Sequence, residues 1–503
     1  MKIQSFASLA GLLVLVAGCA SIPSVGPDYH PPQTTVSTNW SEPQLGGATN
    51  GPVQIVEWWK TFNDPELDSL VERAVRANYN LRLAVGRLHE ARATVSGAEW
   101  DFTPTIGTSA GFTRQRSSAN SFGTSATGFG TGSGGSTPSQ NLTSDQYDAH
   151  FDATWEIDVF GSKRRTLEED TANLAASRED LRDTLVTVLG DVARNYMEVR
   201  GAQQRLVIAS NNINSQVDSI KLTQQRFKAG LTSELDVRQA EALLATTEAT
   251  VPTMQTTLKQ SIHALGVLLG EQPGALLEEL SSIEPIPATP PSVPVGLPSE
   301  LLRHRPDVRR AERQLAAATA DIGVQTAELF PKFSLTGTAG LQSASASDFL
   351  TAGSRYWSFG PTVTWRIFDY GRIHAQIKGA NARQEQALDT YEQTVLTAFQ
   401  DVEDGLVAYA NEQTRYQALN DSVVANRRAM EISTELYRTG NGDFLSVLDS
   451  ERSLFGAEDQ QVDSQRIVSE NLVTLYKALG GGWEIETKAL AMNKAPQNNL
   501  HGN

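Results

Sequence analysis

Residues 147–160 read YDAHFDATWEIDVF and alternate strictly. Tyr147, Ala149, Phe151, Ala153, Trp155, Ile157 and Val159 take one set of positions, and Asp148, His150, Asp152, Thr154, Glu156 and Asp158 take the other. A period of two over about 13 residues predicts a strand longer than most, with one apolar and one acidic face. Such a strand fits a membrane barrel, apolar side to lipid and polar side inward. A half-buried soluble sheet would alternate in the same way. WSFGPTVTWRI, 357–367, repeats the pattern with Trp357, Phe359, Val363, Trp365 and Ile367 on one face. Phe333, Leu335, Ala339 and Leu341 form a weaker third strand, and Ile106, Ala110 and Phe112 a fourth.

The period then changes. Ser162 to Ala229 contains no proline and only two glycines. A helix of that length extends about 100 Å. Leu181, Leu185, Val188, Val192, Asn195, Val199, Ala202 and Leu206 step alternately by four and three, which predicts a coiled-coil seam. The seam recurs 210 residues later, from Tyr391 through Val395, Ala398, Val402, Gly405 and Tyr409 to Tyr416, with a break at Glu412.

That offset is general. Trp155 and Trp365, Gly161 and Gly371, Gly230 and Gly440, and Gly270 and Gly480 are all 210 apart. Ahead of them, NYNLRLAVGRLHEARATVSGAEWDFTP (78–104) parallels RPDVRRAERQLAAATADIGVQTAELFP (305–331) at an offset of 227. The extra residues of the first copy fall in SSANSFGTSATGFGTGSGGSTPSQ, 117–140, a Gly/Ser-rich loop. The chain is therefore two copies of one plan. We divide it into a signal peptide (1–18), an N-terminal segment (19–60), a first helix-strand-strand-helix repeat (61–282), a Pro-rich linker (283–298), a second repeat (299–483) and a tail (484–503) expected to be disordered.

The N-terminus has the charged, apolar and small-residue order of a secretory signal. LVAG before Cys19, the only cysteine, resembles a bacterial lipobox. The resemblance implies that Cys19 becomes the acylated first residue of the mature chain. Ala20, rather than Asp, then favours the outer membrane. Acylation leaves no thiol for a disulfide or for catalysis. A net charge of −16 argues against a nucleic-acid partner. Past the signal no run approaches 18 apolar residues, so no transmembrane helix is expected.

Four membrane strands cannot close on themselves, because the smallest membrane barrels need about eight. An open edge in lipid leaves backbone groups unsatisfied. Several chains must then share one barrel. Two would make a narrow eight-stranded barrel, and three a twelve-stranded one with a lumen.

VGPDYHPP (25–32), EWWKTFNDPELDSLVERAVRANYNL (57–81), RPDVRRAERQL (305–315) and YRTGNGDFLSVLDSERSLF (437–455) resemble the outer-membrane factor family of TolC-like efflux channels, in its OprM/NodT-type lipoprotein branch. The likeness runs from about residue 25 to 483. It implies an α+β membrane protein: a homotrimer whose twelve strands, four per chain, form one β-barrel, continued by a coiled-coil α-helical tunnel across the periplasm. It implies no cofactor beyond the lipid on Cys19. The implied partners are outer-membrane lipid, a periplasmic adaptor and a proton-driven inner-membrane pump, and the channel itself exports small molecules passively.

The turns between paired helices, KAGLTSELD and RTGNGDFLSVLD, would form the periplasmic mouth. Gly230 and Gly440 suit the helix breaks, and Thr232, Ser233 and Asp443 suit caps. Threefold symmetry would repeat any inward acid around the axis and make a cation-selective constriction. Asp236 and Asp449 lie just inside the helices that follow the turns. The family resemblance implies gate roles for Tyr437, Asp449 and Asp443, and we expect Asp443 as the ring residue with Asp449 and Asp236 as its supports. Gly442 and Ser446 stand where other members have a gate arginine and an aspartate.

No enzymatic constellation emerges. GTSAG (107–111) fits a nucleophile-elbow pattern but lies in a strand entering a glycine-rich loop, without the strand-to-helix context. HRPD (304–307) reads as the start of the second copy's first helix. The seven histidines show no metal-ligand spacing. An adaptor lipoprotein would have one helical hairpin and no 210-residue repeat of strands and helices. A structural coiled-coil lipoprotein would have no reason for four alternating strands.

Overall fold

A computed structural model describes residues 24–33, 40–41, 45, 47–49, 56–118, 143–290, 293–298, 301 and 304–485. The signal, Cys19, nearly all of the Gly/Ser-rich loop and the tail beyond 485 lie outside the described residues. In chain order the elements are β1 (Ala48–Thr49), α1 (Pro65–Ala77), α2 (Tyr79–Trp100), β2 (Thr105–Arg116), β3 (Thr143–Ile157), α3 (Ser162–Lys228), α4 (Glu234–Leu268), β4 (Val293–Pro294), α5 (Pro306–Ala327), β5 (Lys332–Ser343), β6 (Arg355–Thr364), α6 (Tyr370–Thr439) and α7 (Phe444–Ala478).

The repeat is exact in length for three of its elements, while α3 and α6 have 67 and 70 residues and β3 and β6 have 15 and 10. Helices α2 and α5 have 22 residues each and start 227 positions apart. Strands β2 and β5 have 12 residues each at the same offset. Helices α4 and α7 have 35 residues each, 210 apart. The Pro-rich linker contributes one short element, as β4 pairs in parallel with β1.

Contacts group the chain into two compact units, and each draws on both repeats. The first comprises Met1–His30, Arg92–Ala172 and Ala316–Glu385. It contains a four-stranded antiparallel sheet of order β2-β3-β5-β6. In the same unit Arg165, buried, holds the N-terminal peptide: its guanidinium donates to the Val25 and Gly26 carbonyls and pairs with Asp28 at 2.7 Å.

The second unit comprises Pro31–Ala91, Asn173–Leu315 and Gln386–Asn503 and contains the main hydrophobic core. A 3-10 turn, Trp58–Phe62, buries both tryptophans and the phenylalanine, and Trp58 stacks on Tyr476 at 5.3 Å. That turn straddles the 60/61 boundary drawn from sequence. Asp64 caps α1 by accepting from the amides of Glu66 and Leu67. Leu67, Leu70 and Ala74 then face inward at helical spacing, and each buried leucine contributes about 2 kcal/mol.

The predicted seam is buried at Leu185, Val192, Val199, Val395 and Val402. It is wider than a two-helix seam, since Leu189, Ala193, Tyr196 and Met197 are wholly buried beside it. The core around α3 covers more of its circumference than the stepping by four and three suggests. Glu412 interrupts the second seam by accepting from Ser464 at 2.5 Å and from Arg415 at 2.8 Å, so the acid is satisfied.

Candidate functional site

The sheet and the helix turns are the two candidate regions, one in each unit.

In the sheet, antiparallel register brings the alternating residues onto common faces. Opposite pairs on one face are Phe112–Tyr147, Ile106–Ala153, Trp155–Leu335, Ile157–Phe333, Ala339–Trp357 and Phe333–Val363. All four predicted strands thus share a single apolar face. It is exposed in this chain: Ile106 74%, Phe151 64%, Trp357 74%, Phe359 75%. So large an uncovered apolar area marks a surface meant for lipid or partners. The opposite face carries Ser109, Asp148, His150, Asp152, Thr338 and Tyr356.

The strands end earlier than their alternation. Strand β3 stops at Ile157 because Asp158 accepts from the Lys163 and Arg164 amides at 3.2 and 3.0 Å, fastening the start of α3. Strand β6 stops at Thr364, so Trp365 and Ile367 lie beyond it, and Ile367 opens a 3-10 turn into α6. The two tryptophans are placed alike. Trp155 Nε1 donates to the Phe102 carbonyl at 2.8 Å, and Trp365 Nε1 to the Leu329 carbonyl at 3.0 Å. An amphipathic indole fixed at a strand end is what an interfacial girdle needs.

In the helix turns, Gly230 (φ +70°) and Gly440 (φ +82°) take the left-handed conformation. The Leu231 amide returns to the Arg226 carbonyl and the Asn441 amide to the Leu436 carbonyl, both at 2.9 Å, which closes each helix in a Schellman arrangement. Ser233 and Asp236 form a capping box at the start of α4, and Thr232 Oγ1 also donates to Asp236. Asp443 caps α7, accepting from the Ser446 amide at 2.9 Å and its hydroxyl at 2.6 Å. Those bonds hold the exposed Asp443 carboxyl below its usual range.

Asp449 is exposed six residues further along. Tyr437 is buried against Phe444, at 5.3 Å, with the Arg226 guanidinium 4.6 Å from its ring centre. Its hydroxyl and Arg226 Nε are buried without a hydrogen-bond partner. The structure thus brings Tyr437, Arg226 and both glycine turns into one region, with Asp443 and Asp236 engaged as caps.

Two features escaped the sequence reading. Arg305, in the motif read only as a helix start, is buried and bonds Asp307, Asp401 at 2.9 Å and the Ala478 carbonyl at 3.1 Å. Burial alone would raise the Asp307 carboxyl, but Arg305 outweighs it and holds it low. In the first unit, burial pushes the Glu169 carboxyl up to about 7, aided by the charges of Asp321 and Asp170 and opposed by Arg383. Asp401 is 96 residues from Arg305 in the chain, and Asp321 is likewise remote from Glu169, so neither grouping leaves a local signal. Among the described residues no group of His, Cys, Asp and Glu is arranged to hold a metal, and no helix is long and apolar enough to cross a membrane.

The chain matches the outer membrane efflux protein family model over residues 70–271 and 297–481. It is 31% identical over 95% of its length to nodulation protein T of Rhizobium leguminosarum bv. trifolii, covering 97% of that protein. It is also 31% identical to the pyoverdine export outer membrane protein OpmQ of Pseudomonas aeruginosa, over 95% of this chain and 98% of that one. Among solved structures it resembles the outer-membrane channel OprN, with 36% identity, a TM-score of 0.83 and coverage of 92% and 99% of the two chains. The four-stranded sheet, the duplicated helices and these matches agree: the chain belongs to the outer membrane efflux protein family.

Proposed function

We propose that three copies of this chain close one twelve-stranded barrel in the outer membrane, and that their helices carry its bore into the periplasm. One observation supports this above the others. The sheet has one exposed apolar face and two edge strands, β2 and β6, which among the described residues have no neighbour on their outer side. Unpaired backbone groups in hydrocarbon cost several kcal/mol each, so the edges must pair with other copies. Twelve strands leave room for a water-filled lumen, whereas eight are filled by side chains.

The protein is then a conduit rather than an enzyme. It passes small organic molecules outward, delivered by a periplasmic adaptor and a proton-driven inner-membrane pump. Relatives named for toluene efflux in Pseudomonas putida and pyoverdine export in Pseudomonas aeruginosa support that cargo class. Acyl chains on Cys19 hold the mature N-terminus to the membrane. Asp443, repeated three times, forms the electrostatic ring of the periplasmic gate, with Asp449 and Asp236 beside it and the Tyr437–Arg226 contact locking the helices.

Planar-bilayer recording of the purified full chain tests this. Discrete, stable openings are expected, with a several-fold larger resting conductance for Asp443→Ala. Absence of discrete openings contradicts the channel, and unchanged conductance in Asp443→Ala contradicts the gate.

A further inference from the structure

We propose that Asp148, His150 and Asp152 form a proton-sensitive collar inside the barrel that makes its preference for cations over anions depend on pH, in addition to the fixed contribution of the gate acids. The proposal rests on the trimeric barrel argued above, and it concerns a region remote in sequence from the gate acids.

The three side chains lie at consecutive polar-face positions of β3, so the sheet holds them on the side away from the apolar face. The imidazole bridges the carboxylates. Its Nδ1 contacts Asp148 Oδ2, and its Nε2 lies 2.9 Å from Asp152 Oδ2 and 2.8 Å from Ser109 Oγ on β2. The outer oxygens are anchored from the other two strands. Tyr356 on β6 donates to Asp148 Oδ1 at 3.1 Å, and Thr338 on β5 donates to Asp152 Oδ1 at 3.0 Å. One cluster therefore uses all four strands. It remains in reach of solvent, with Asp148 and His150 about one-fifth exposed and Asp152 46% exposed.

The chemistry turns on the proton count of the ring. An imidazolium donates from both nitrogens and so satisfies a carboxylate on each side. A neutral imidazole donates from one nitrogen and accepts at the other, where Ser109 supplies a hydroxyl. Each cluster thus carries two net negative charges with the ring neutral and one with it protonated. Three copies double or halve the charge of the whole collar. Histidine is the side chain suited to make that change near neutral pH. The other ionisable side chains on this face of the strands are Tyr356, Glu156 opposite Ser334, and Lys332, which pairs with Glu328 at 2.5 Å. Among the described strand residues no other charged side chain stands on that face, so the collar carries most of the charge these strands present to a passing ion. Negative rings favour cations in a pore.

The test is the reversal potential of the full-length protein in planar bilayers across a KCl gradient, from pH 5 to pH 8, at about 0.1 M salt to limit screening. The native cation-to-anion permeability ratio should rise at least about twofold over that range. His150→Gln should be flat at the native high-pH value, and His150→Arg flat at the low-pH value. Both variants keep Glu156, Lys332 and Tyr356, so a response they abolish belongs to His150. A native ratio independent of pH overturns the collar and leaves the channel standing, as does a native-like response in His150→Gln. No discrete openings from the native protein would overturn the channel and the collar together.

Discussion

The two repeats solve one joint in two ways. In the first, Asn78 stands before α2. Its side-chain oxygen accepts from the Asn80 and Leu81 amides, and its amide nitrogen donates to the Leu268 carbonyl at the end of α4, at 2.8 Å. In the second, the position 227 residues on is Arg305, and it reaches the Ala478 carbonyl at the end of α7, 210 residues on from Leu268. Both joints tie the start of one helix to the last turn of another. The first uses a neutral amide. The second uses a buried cation and therefore requires two acids, Asp307 and Asp401. Duplication preserved the backbone relation, while the side-chain solutions diverged. The lesson is that the joint itself is what the fold needs.

The largest effect should come from breaking the charged joint. Arg305→Ala leaves Asp307 partly buried without its partner and should cost about 3–5 kcal/mol. Asn78→Ala removes a cap and one long-range bond and should cost about 1–2 kcal/mol. Denaturant midpoints of the detergent-solubilised protein would check the order, and equal losses would contradict it.

The glycines that close α3 and α4 differ in what surrounds them. A Cβ on Gly270 would sit 2.6 Å from the Ala77 carbonyl oxygen, and φ is +70°. Gly230 has the same φ with nothing within 4 Å. Gly270→Ala should therefore cost about 2–4 kcal/mol, adding a backbone clash to the left-handed penalty. Gly230→Ala should cost only about 1 kcal/mol from the penalty alone. The difference between the two midpoints isolates the contact.

The smallest effect concerns pH. Glu169 has a folded pKa raised to about 7. The folded state therefore holds this proton more tightly than the unfolded chain does. As pH rises from the ordinary carboxyl range through 7, stability is lost, and above 7 the full penalty applies. Glu169→Gln should stabilise the protein at pH 8 by about 1 kcal/mol after allowance for solvent screening, and leave it unchanged at pH 4. Thermal unfolding at the two pH values would show it.

Much of this architecture was legible in the chain. Strict alternation at 147–157 and the 210- and 227-residue offsets set the strands, the helices and their duplication. Gly230, Gly440, Ser233 and Asp443 were readable as turn and cap residues because those roles depend on near neighbours. Strand ends were less legible. Asp158 and Trp365 continue the alternation in sequence, yet one caps a helix and the other bonds a distant carbonyl. Arg226 against Tyr437, and Asp401 and the Ala478 carbonyl on Arg305, come from far away in the chain, and no local pattern records them. Within β3, the spacing of His150 between two aspartates was visible, but the hydroxyls of Ser109, Thr338 and Tyr356 come from other strands.

In the proposed trimer the edge strands β2 and β6 are sealed by other copies of the same chain. Native mass spectrometry of the mature protein, released from detergent, tests it most directly. A single species of three chains is expected. A species of one chain, with β2 and β6 left unpaired, would contradict it.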